Sequence, residues 1–571
     1  MYASIWSGGL MKRILYFLVL IASIAPILFT LPFDVIDIDS AQYAEIVREM
    51  VTNNEYFFLR DNGKQYLDKP ILTFWSIAVF FKLFGISNYT FRLPAILITL
   101  LSFYSIFRIT YLISNNFRRS FLAFVIYATC PGLFAMVVDP KIDVYLTAYL
   151  LFIHHAYYLG VKKNSRWFYL MYVFIGLGFI TKGPISLVIP AISIGGDILI
   201  RRDWTLLKNM RLIVGVPLLL LFPAIWSYIL FQDFSWYGPH FFLWIQSFGR
   251  FYRKMYDQKV DPFYFILNFA WAFSTFLIPL IFYLVSVLKN EIEKNGFRNQ
   301  FKMLMEKIKL NQFESQYFVI PFWFFLFLGL ISFSRYQLPQ YIYWLLPAAA
   351  IFTSGVVEKY IENNQKNYLF LLPYLATIVF LLLTPFSVIE FKWTPLILLF
   401  IISFTFLLKN YRPTLLLSIF ATVLIYFNIE CSLYPFLLSY QPASQVGNRI
   451  IALEPSKKEI FTYKLPSSKR SYSFYSKRLM KPLFDKMKFY KIINIEDSRL
   501  VLVPADYLED MKNFLGDQMT FEVLESHPSY KVATPKINFF FQKERSLITK
   551  DILLVRVRKK MDLRSGMYIS K

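Results

Sequence analysis

The sequence feature that most constrains the fold is a series of long apolar runs that recurs from Ile14 to about Leu433. Crossing about 30 Å of hydrocarbon takes about 20 apolar residues in a helix, and many of these runs approach that length. A β-barrel would instead show short segments of alternating apolar and polar residues. At 56% hydrophobic residues, the chain is also too apolar for an ordinary soluble protein. The pattern therefore predicts a polytopic α-helical membrane protein.

Basic residues predict how these runs cross the membrane. Lys12 and Arg13 precede the first run, which we interpret as an uncleaved span with a cytoplasmic N-terminus. We expect the shorter runs at 40–50 and 71–85 to lie at the membrane interface, because they are too short to cross. The lysine and arginine clusters between later runs then fall on the cytoplasmic side. The 13 predicted spans are residues 14–31, 91–113, 120–137, 143–160, 167–181, 184–200, 212–231, 262–288, 317–333, 338–355, 368–386, 394–408 and 413–433.

The composition becomes polar and basic after about Gln441. Strand-like stretches are predicted at 500–503, 521–524, 537–541 and 552–557, and a helical stretch at 507–515. We therefore predict a transmembrane domain over 1–440, with a first outer loop at 32–90, and a small α/β domain over 441–571 in the periplasm. The net charge of +24 lies largely in short loops between spans, so it indicates topology rather than nucleic-acid binding. The two cysteines, Cys130 and Cys431, are predicted to be structural.

The first outer loop carries charged and aromatic residues beside the membrane, where charge is costly and often marks chemistry. Within it, Asp39 has two interpretations. As a helix cap, it would form a capping-box-like pair with Gln42. As a functional group, it would act as a base or an electrostatic group at a reaction centre. The residues alone leave both open and favour the cap.

Several cations are predicted to lie on the outer side, against the positive-inside rule. They are Lys69, Lys182, Arg250 and Arg335. A cation in such a position needs a partner, and an anionic ligand is a natural one.

A series of short motifs follows in order along the chain: Asp39-x-Ala41-x-Tyr43-Ala44-Glu45-Ile46-x-Arg48-Glu49-Met50, Tyr66-x-Asp68-Lys69-Pro70, Val138-Asp139-Pro140, Thr181-Lys182-Gly183, His240-Phe241-Phe242-Leu243-Trp244 with Arg250-Phe251, and Leu338-Pro339-x-Tyr341. In their order and placement, these motifs resemble those of the ArnT-like and protein O-mannosyltransferase-like glycosyltransferases, which share the GT-C fold. The resemblance covers nearly all of residues 10–440. It implies an inverting transferase that takes a sugar from a polyprenyl phosphate on the outer face of the membrane.

The resemblance also implies a role for individual residues by position. The acidic positions are Asp39, similar to the family's catalytic aspartate, and Asp68 and Asp139, similar to its further carboxylates. The positions similar to donor-phosphate residues are Lys69, Arg250 and Tyr341, with Lys182 as a companion, and the supporting positions are Tyr43, Glu45, His240 and Arg335.

The chain departs from the family pattern at several of these positions. Ser40 and Gln42 replace a usual acid and a common arginine, and Gln246-Ser247 stands where the family has a Glu-His pair. The zinc site that the resemblance implies would use that histidine with the acid at Asp68, so we predict no metal and no other cofactor. His240 could substitute, but a hydrogen-bonded loop histidine is the favoured interpretation.

The favoured prediction is a monomeric glycosyltransferase in the inner membrane of a diderm bacterium. It would transfer sugar from a polyprenyl-phosphate donor to lipopolysaccharide or to another envelope glycan, with no nucleic-acid partner. Alternatives are a protein O-mannosyltransferase-like enzyme, a lipid-linked substrate transporter or flippase, and a non-catalytic relative that binds polyprenyl phosphate. A transporter is expected to show repeated halves with broken helices, and no internal repeat is visible in the sequence.

Overall fold

The computed structural model describes residues 10–249, 260–286, 289, 316–362, 413–466, 468–496 and 498–560. By their internal contacts, the residues form two compact units. Among the described residues, the first unit comprises those within Met1–Pro32, Tyr66–Leu383 and Lys392–Glu430, and the second comprises those within Phe33–Gln65 and Cys431–Lys571. The sequence prediction assigned the whole loop 32–90 to the membrane domain. In the structure, the first half of that loop belongs to the second unit instead.

The first unit is helical throughout its described residues. Its helices are Leu10–Phe29, Leu72–Phe84, Asn88–Ser114, Phe117–Ala128, Pro131–Val138, Ile142–Lys162, Trp167–Lys182, Ile185–Pro190, Gly196–Arg201, Trp204–Asn209, Leu212–Phe234, Tyr237–His240, Tyr264–Ala272, Val319–Pro321, Phe327–Ser332, Leu346–Glu362 and Pro413–Asn428. Wider π-helical turns lie at Ala191–Gly195, Phe241–Phe248 and Phe322–Leu326, and a 3₁₀ helix lies at Pro339–Leu345.

Among the described residues, five helices are long and apolar enough to cross a membrane, or up to seven if each of two bent pairs is one span. The five are Asn88–Ser114, Ile142–Lys162, Leu212–Phe234, Pro339–Tyr360 and Ile419–Leu438. The bent pairs are Phe117–Ala128 with Pro131–Val138, and Tyr264–Ala272 with Ser274–Ser286, bent by 52° and 115°. Each coincides with one predicted span. The predicted count of 13 is not confirmed, and two predicted spans, 368–386 and 394–408, fall outside the described residues.

Buried aromatic residues fix the 3₁₀ helix Pro339–Leu345 in the core of the first unit. Pro339 occupies the first turn, where a missing backbone N–H costs nothing. The indole of Trp323, itself fully buried, donates a hydrogen bond to the Trp344 carbonyl over 2.9 Å. Because that carbonyl lies at the end of the 3₁₀ turn, the bond holds the aromatic side chains of this turn in one orientation.

The second unit contains a five-stranded mixed sheet. In spatial order the strands are Leu479–Pro482, Glu459–Thr462, Ser498–Pro504, Lys550–Lys559 and Met519–Ser529. The first three are parallel, and the last two pair antiparallel. The helices of this unit are Asp39–Asn53, Tyr434–Leu438, Ala443–Leu453, Arg470–Ser476, Lys486–Glu496, Leu508–Leu515 and Gln542–Ile548.

One predicted strand of this unit, 537–541, is wrong. The chain forms a 3₁₀ turn there, Ile537–Phe540. Phe539 in this turn is fully buried, and its ring stacks on Tyr530 at 4.2 Å and meets the edge of Tyr440 at 5.0 Å. Phe539 therefore fills an aromatic cluster instead of contributing to one face of a sheet.

The first half of the outer loop is held within the second unit by polar contacts. A hairpin of Arg60–Asp61 and Lys64–Gln65 turns through Asn62 and Gly63, both with positive φ, as a two-residue Asn-Gly turn requires. The side chain of Asn62 accepts from the Met480 backbone N–H and donates to its carbonyl, both at 2.6 Å. These two hydrogen bonds attach the hairpin to the strand that contains Met480.

Candidate functional site

A cavity in the first unit brings four of the predicted site residues together. Asp68, Lys69, Lys182 and Tyr341 all line it. Most of the other lining side chains are apolar or aromatic, and the further polar ones are Gln246, Ser247, Ser334 and Tyr336. Its empty space is about 990 Å³, the part open to solvent included.

Local helix signals place Lys182 at this cavity. Lys182 is the last residue of the helix Trp167–Lys182, where a cation is favoured by the negative end of the helix dipole. Gly183 ends the helix with φ of +86°, a conformation that side-chain-bearing residues rarely adopt. Pro184 then starts the next helical segment. The Thr181-Lys182-Gly183 motif therefore has a structural reason: it presents an ammonium group at a sharp helix end.

Lys182 is held between a carboxylate and two aromatic rings. Its Nζ lies 2.5 Å from Oδ1 of Asp143, whose side chain is almost fully buried. The same atom lies 5.3 Å from the ring centre of Tyr341 and 5.1 Å from that of Trp344, within the range of cation–π attraction. The two rings stack on each other at 4.8 Å. This arrangement fixes the direction of the ammonium group.

Asp143 is a functional candidate that sequence reasoning missed. It lies in the first turn of the helix Ile142–Lys162, where the helix dipole favours a carboxylate. A signal was available, because an acid at the start of an apolar run needs a cation nearby. Trp344 was also missed, and no sequence pattern distinguishes it from the other core aromatics.

The other charged corner of the cavity is built on Asp68. Its Oδ2 lies 2.5 Å from Nζ of Lys69, and its Oδ1 accepts a hydrogen bond from the side-chain amide of Gln246. Both lysines of the cavity are therefore paired with a carboxylate of the chain itself. The anionic ligand that the sequence analysis invoked for them is not needed to balance their charge, although a phosphate could still bridge or displace these pairs.

The remaining predicted residues of the first unit lie in different places. Asp139 follows the helix Pro131–Val138, and its carboxylate lies 3.4 Å from Nζ of Lys141. Arg335 and His240 are exposed. Neither is among the cavity-lining side chains in the described part of the chain. Arg250 lies outside the described residues.

Three predicted residues, Asp39, Tyr43 and Glu45, lie in the second unit on the helix Asp39–Asn53. Asp39 is the first residue of the helix rather than its cap, and the cap residue Ile38 makes no side-chain capping bond. Gln42 donates to Asp61 instead. The capping-box pair is therefore not formed, and Asp39 lies in the first turn, where the helix dipole favours its carboxylate.

Glu45 and Tyr43 are both buried in the second unit. Oε1 of Glu45 lies 2.7 Å from Nη2 of Arg48 and accepts from the Ser473 hydroxyl over 2.9 Å. Burial, opposed by the bond to Arg48, raises the pKa of Glu45. These contacts give Glu45 a structural role in the second unit, and its supporting role at a reaction centre stays a prediction.

Comparisons with known proteins agree with this architecture. Residues 68–228 match the model of the dolichyl-phosphate-mannose-protein mannosyltransferase family. An uncharacterized protein of Aquifex aeolicus is 25% identical over 77% of this chain and 82% of its own length. An undecaprenyl phosphate-alpha-4-amino-4-deoxy-L-arabinose arabinosyl transferase of Yersinia enterocolitica is 28% identical over 40% of this chain and 42% of its own length. The match thus spans less than half of that transferase.

The crystal structure of ArnT from Cupriavidus metallidurans bound to undecaprenyl phosphate superposes with a TM-score of 0.73 at 15% identity, covering 96% of this chain and 98% of that chain. At this identity, the likeness shows the fold. Together with the long apolar helices, it defines a multi-pass helical membrane protein with the GT-C architecture. The family match and the curated relatives add that the chain is similar in sequence to dolichyl-phosphate-mannose-protein mannosyltransferases over residues 68–228 and to undecaprenyl-phosphate arabinosyl transferases over about two fifths of its length.

Proposed function

We propose that the chain moves a sugar from a polyprenyl-phosphate donor to lipid A or another envelope glycan, with inversion, on the periplasmic face of the inner membrane. The observation that carries the proposal is the largely apolar cavity with Lys69 and Lys182 in its wall. The donor class is supported by the Yersinia relative, whose name specifies an undecaprenyl-phosphate donor, and by the ArnT crystal structure, which contains undecaprenyl phosphate.

The chemistry of such a transfer matches the charges in the cavity. An acceptor oxygen attacks the anomeric carbon while the bond from that carbon to the phosphate oxygen breaks. The leaving polyprenyl phosphate gains negative charge in this step. Oriented ammonium groups in a site with little water stabilise that charge more in the transition state than in the ground state. Asp39 either takes the proton of the acceptor or stabilises the reaction centre electrostatically.

The existing ion pairs supply a way to bind the donor. Asp68 and Asp143 keep Lys69 and Lys182 neutralised without ligand. A phosphate diester that approaches these lysines accepts hydrogen bonds from their ammonium groups. Their ion pairs with Asp68 and Asp143 are weakened as a result. The further negative charge that develops on the leaving phosphate then draws both lysines more strongly. Transition-state stabilisation therefore exceeds ground-state binding, which is what raises kcat.

Protein is the second candidate acceptor. The observation in its favour is the family model matched by residues 68–228, whose description names protein mannosyltransferases. The two acceptors are separated by one experiment. The purified chain is incubated with labelled polyprenyl-phosphate sugars and an envelope extract, and the labelled product is recovered. Label in lipid A or glycan supports the first acceptor, label in protein supports the second, and no transfer from any donor refutes both.

A second experiment tests whether Lys182 binds the donor phosphate. The variant Lys182→Met removes the cation but leaves Asp143 buried without it, so a matched double variant, Asp143→Asn with Lys182→Met, removes both charges. If Lys182 stabilises the leaving phosphate, both variants lose kcat/KM by about 10²–10³-fold, since one such donor contributes about 2.7–4 kcal/mol. Recovery of activity in the double variant would mean that Lys182 only neutralises Asp143. Lys162→Met, at an exposed position of the first unit, is the control.

A further inference from the structure

The family resemblance implies a metal ion near Asp68, and the residues of this chain do not fit one. Zinc sites use His, Cys and carboxylate ligands. Ser247 stands at the position of the family's histidine, and its hydroxyl is already bonded to the Phe242 carbonyl over 3.0 Å. In the described part of the chain, no cluster of three or more His, Cys, Asp or Glu side chains could hold a metal ion.

The surroundings of Asp68 also oppose a cation. One carboxylate oxygen faces the ammonium group of Lys69 at 2.5 Å, and the other accepts from the amide of Gln246. Positive hydrogen donors thus engage both oxygens. A divalent ion placed there would be repelled by Lys69 and would have to displace the amide.

The two departures from the family pattern compensate for each other. A glutamate at 246 would face the Asp68 carboxylate with a second negative charge, an arrangement that calls for a cation between them. The glutamine found here carries an NH₂ group of the same size and converts that repulsion into a hydrogen bond. Losing the histidine at 247 and the charge at 246 together therefore leaves Asp68 oriented without a metal.

We propose that Gln246 positions the Asp68 carboxylate in the role that a metal ion takes in relatives, so that this chain is a metal-independent member of its family. The proposal rests on the proposed transferase function. Gln246 lies on the π-helical turn Phe241–Phe248, and such wide turns occur often at functional sites. With its orientation fixed, Asp68 holds the Lys69 ammonium group at the cavity wall, where the donor phosphate binds. Gln246 acts through Asp68 and is a positioning residue.

Metal binding is tested without reference to activity. The purified full-length chain is analysed for bound metal by mass spectrometry, and its melting temperature is measured with Zn²⁺ and with a chelator. We expect substoichiometric metal and no shift in Tm with either addition. The double variant Gln246→Glu with Ser247→His restores the family pair and is expected to gain a Zn²⁺-dependent rise in Tm. Stoichiometric metal in the wild-type chain, or a fall in its Tm with chelator, would overturn the proposal whether or not the chain transfers sugar.

The positioning role is tested by kinetics. Gln246→Ala is expected to lower kcat by about 10–100-fold, the usual cost of losing a residue that orients a functional group, and to do so equally with and without chelator. Gln246→Glu alone is expected to lose activity and to regain part of it with Zn²⁺ only when Ser247→His is added. Gln232→Ala, at an exposed glutamine outside the cavity, is the matched control. Wild-type kcat in Gln246→Ala would contradict the positioning role, whereas absence of transfer by the wild-type chain would refute the function itself.

Discussion

Charged side chains have different surroundings in the two halves of the first loop. Before Tyr66, several carboxylates are enclosed: Asp37, Glu45 and Asp61 are buried, and each is bonded to residues of the second unit. After Tyr66, Asp68 and Lys69 pair with each other at the wall of a cavity, and the Asp68 side chain is 47% exposed. The same residue types thus build a fold in one half and an accessible site in the other.

The contrast is clearest for Asp37 and Asp68. The carboxylate of Asp37 accepts from the Ser471 backbone and hydroxyl and lies 3.7 Å from Lys469. Burial, only partly opposed by Lys469 and Ser471, raises the pKa of Asp37. Asp68 has partners too, but it retains access to the cavity. A charged residue in such a loop therefore indicates function only when its partners leave a path to a ligand.

Asp39 gives the sharpest way to break this comparison, because it lies in the enclosed half but is predicted to be catalytic. Asp39→Asn keeps the size of the side chain and removes its charge and basicity. We expect transfer to fall by up to about 10⁴-fold, the upper range for a lost acid–base group, with donor binding retained. The measurement is kcat for labelled sugar transfer alongside donor affinity.

The control for Asp39 is the same change five residues earlier. Asp34→Asn alters a carboxylate of the same unit whose Oδ2 accepts from Ser444 over 2.5 Å. Its transfer rate should stay within a few-fold of wild type. If Asp39→Asn transfers sugar as fast as this control, Asp39 is not catalytic and has a structural role, like the buried carboxylates of the same half of the loop.

Glu45 tests the structural side of the comparison. Glu45→Ala leaves the buried guanidinium of Arg48 without its partner, which costs about 3–5 kcal/mol of stability. We expect earlier cleavage of residues 441–571 in thermally pulsed limited proteolysis of the full-length chain. Replacing both charges, in Glu45→Leu with Arg48→Met, should recover most of the loss, because a removed buried pair costs far less than a broken one. Wild-type resistance in the single variant would exclude a structural role for the pair.

Asn62 isolates the contribution of the hairpin. Asn62→Ala loses both bonds to Met480 and puts alanine, which tolerates the left-handed region less well than asparagine, at φ of +55°, so we expect a loss of about 1–3 kcal/mol. Asn62→Gly loses the same bonds but tolerates the backbone conformation. The difference between the two in the proteolysis assay measures backbone strain, and the loss in the glycine variant measures the hydrogen bonds. No loss in either would mean that the hairpin does not stabilise the second unit.

The sequence predicted the parts of this molecule that depend on local pattern. Apolar length and periodicity located helices of the first unit, including the short one Leu72–Phe84, and the helix Asp39–Asn53 of the second unit. Ordered motifs gave the resemblance to ArnT-like proteins and four side chains that line one cavity. The Asn62-Gly63 turn is a strong hairpin signal that could also have been used.

The remainder depends on partners far away in the chain. Ser471 and Ser473, which bond Asp37 and Glu45, come more than 400 residues after them, and no local pattern joins the two segments. The same holds for Gln246, which is 178 residues from Asp68. Strands were missed at Glu459–Thr462 and Leu479–Pro482 because each is short and lacks a clear alternation of apolar and polar residues. Whether a charged residue is enclosed or accessible is decided by such distant contacts.

The smallest expected effect concerns pH and the enclosed half. Burial, together with the nearby charge of Glu45, raises the pKa of Glu49 to about 7, although the backbone N–H groups of Asn62 and Gly63 oppose the shift. The unfolded pKa is near 4.3. A carboxyl with a raised folded pKa binds its proton more tightly in the fold. Its stabilisation is therefore full below about pH 4.3 and is lost as the pH rises through about 7.

We therefore expect hydrogen-exchange protection of the helix Asp39–Asn53, corrected for intrinsic rates, to fall a few-fold between pH 5 and pH 8. Glu49→Gln should have lower protection at every pH, because one of its two carboxylate acceptors becomes an amide donor that faces a backbone N–H. Its profile should be flat, because the titrating group is gone. The same fall in the variant as in the wild type would assign the pH dependence to another group, such as Asp37, whose burial raises its pKa as well. The helix Leu72–Phe84 in the other half of the loop contains no carboxylate. Its hydrogen-exchange protection serves as the internal reference for the pH dependence.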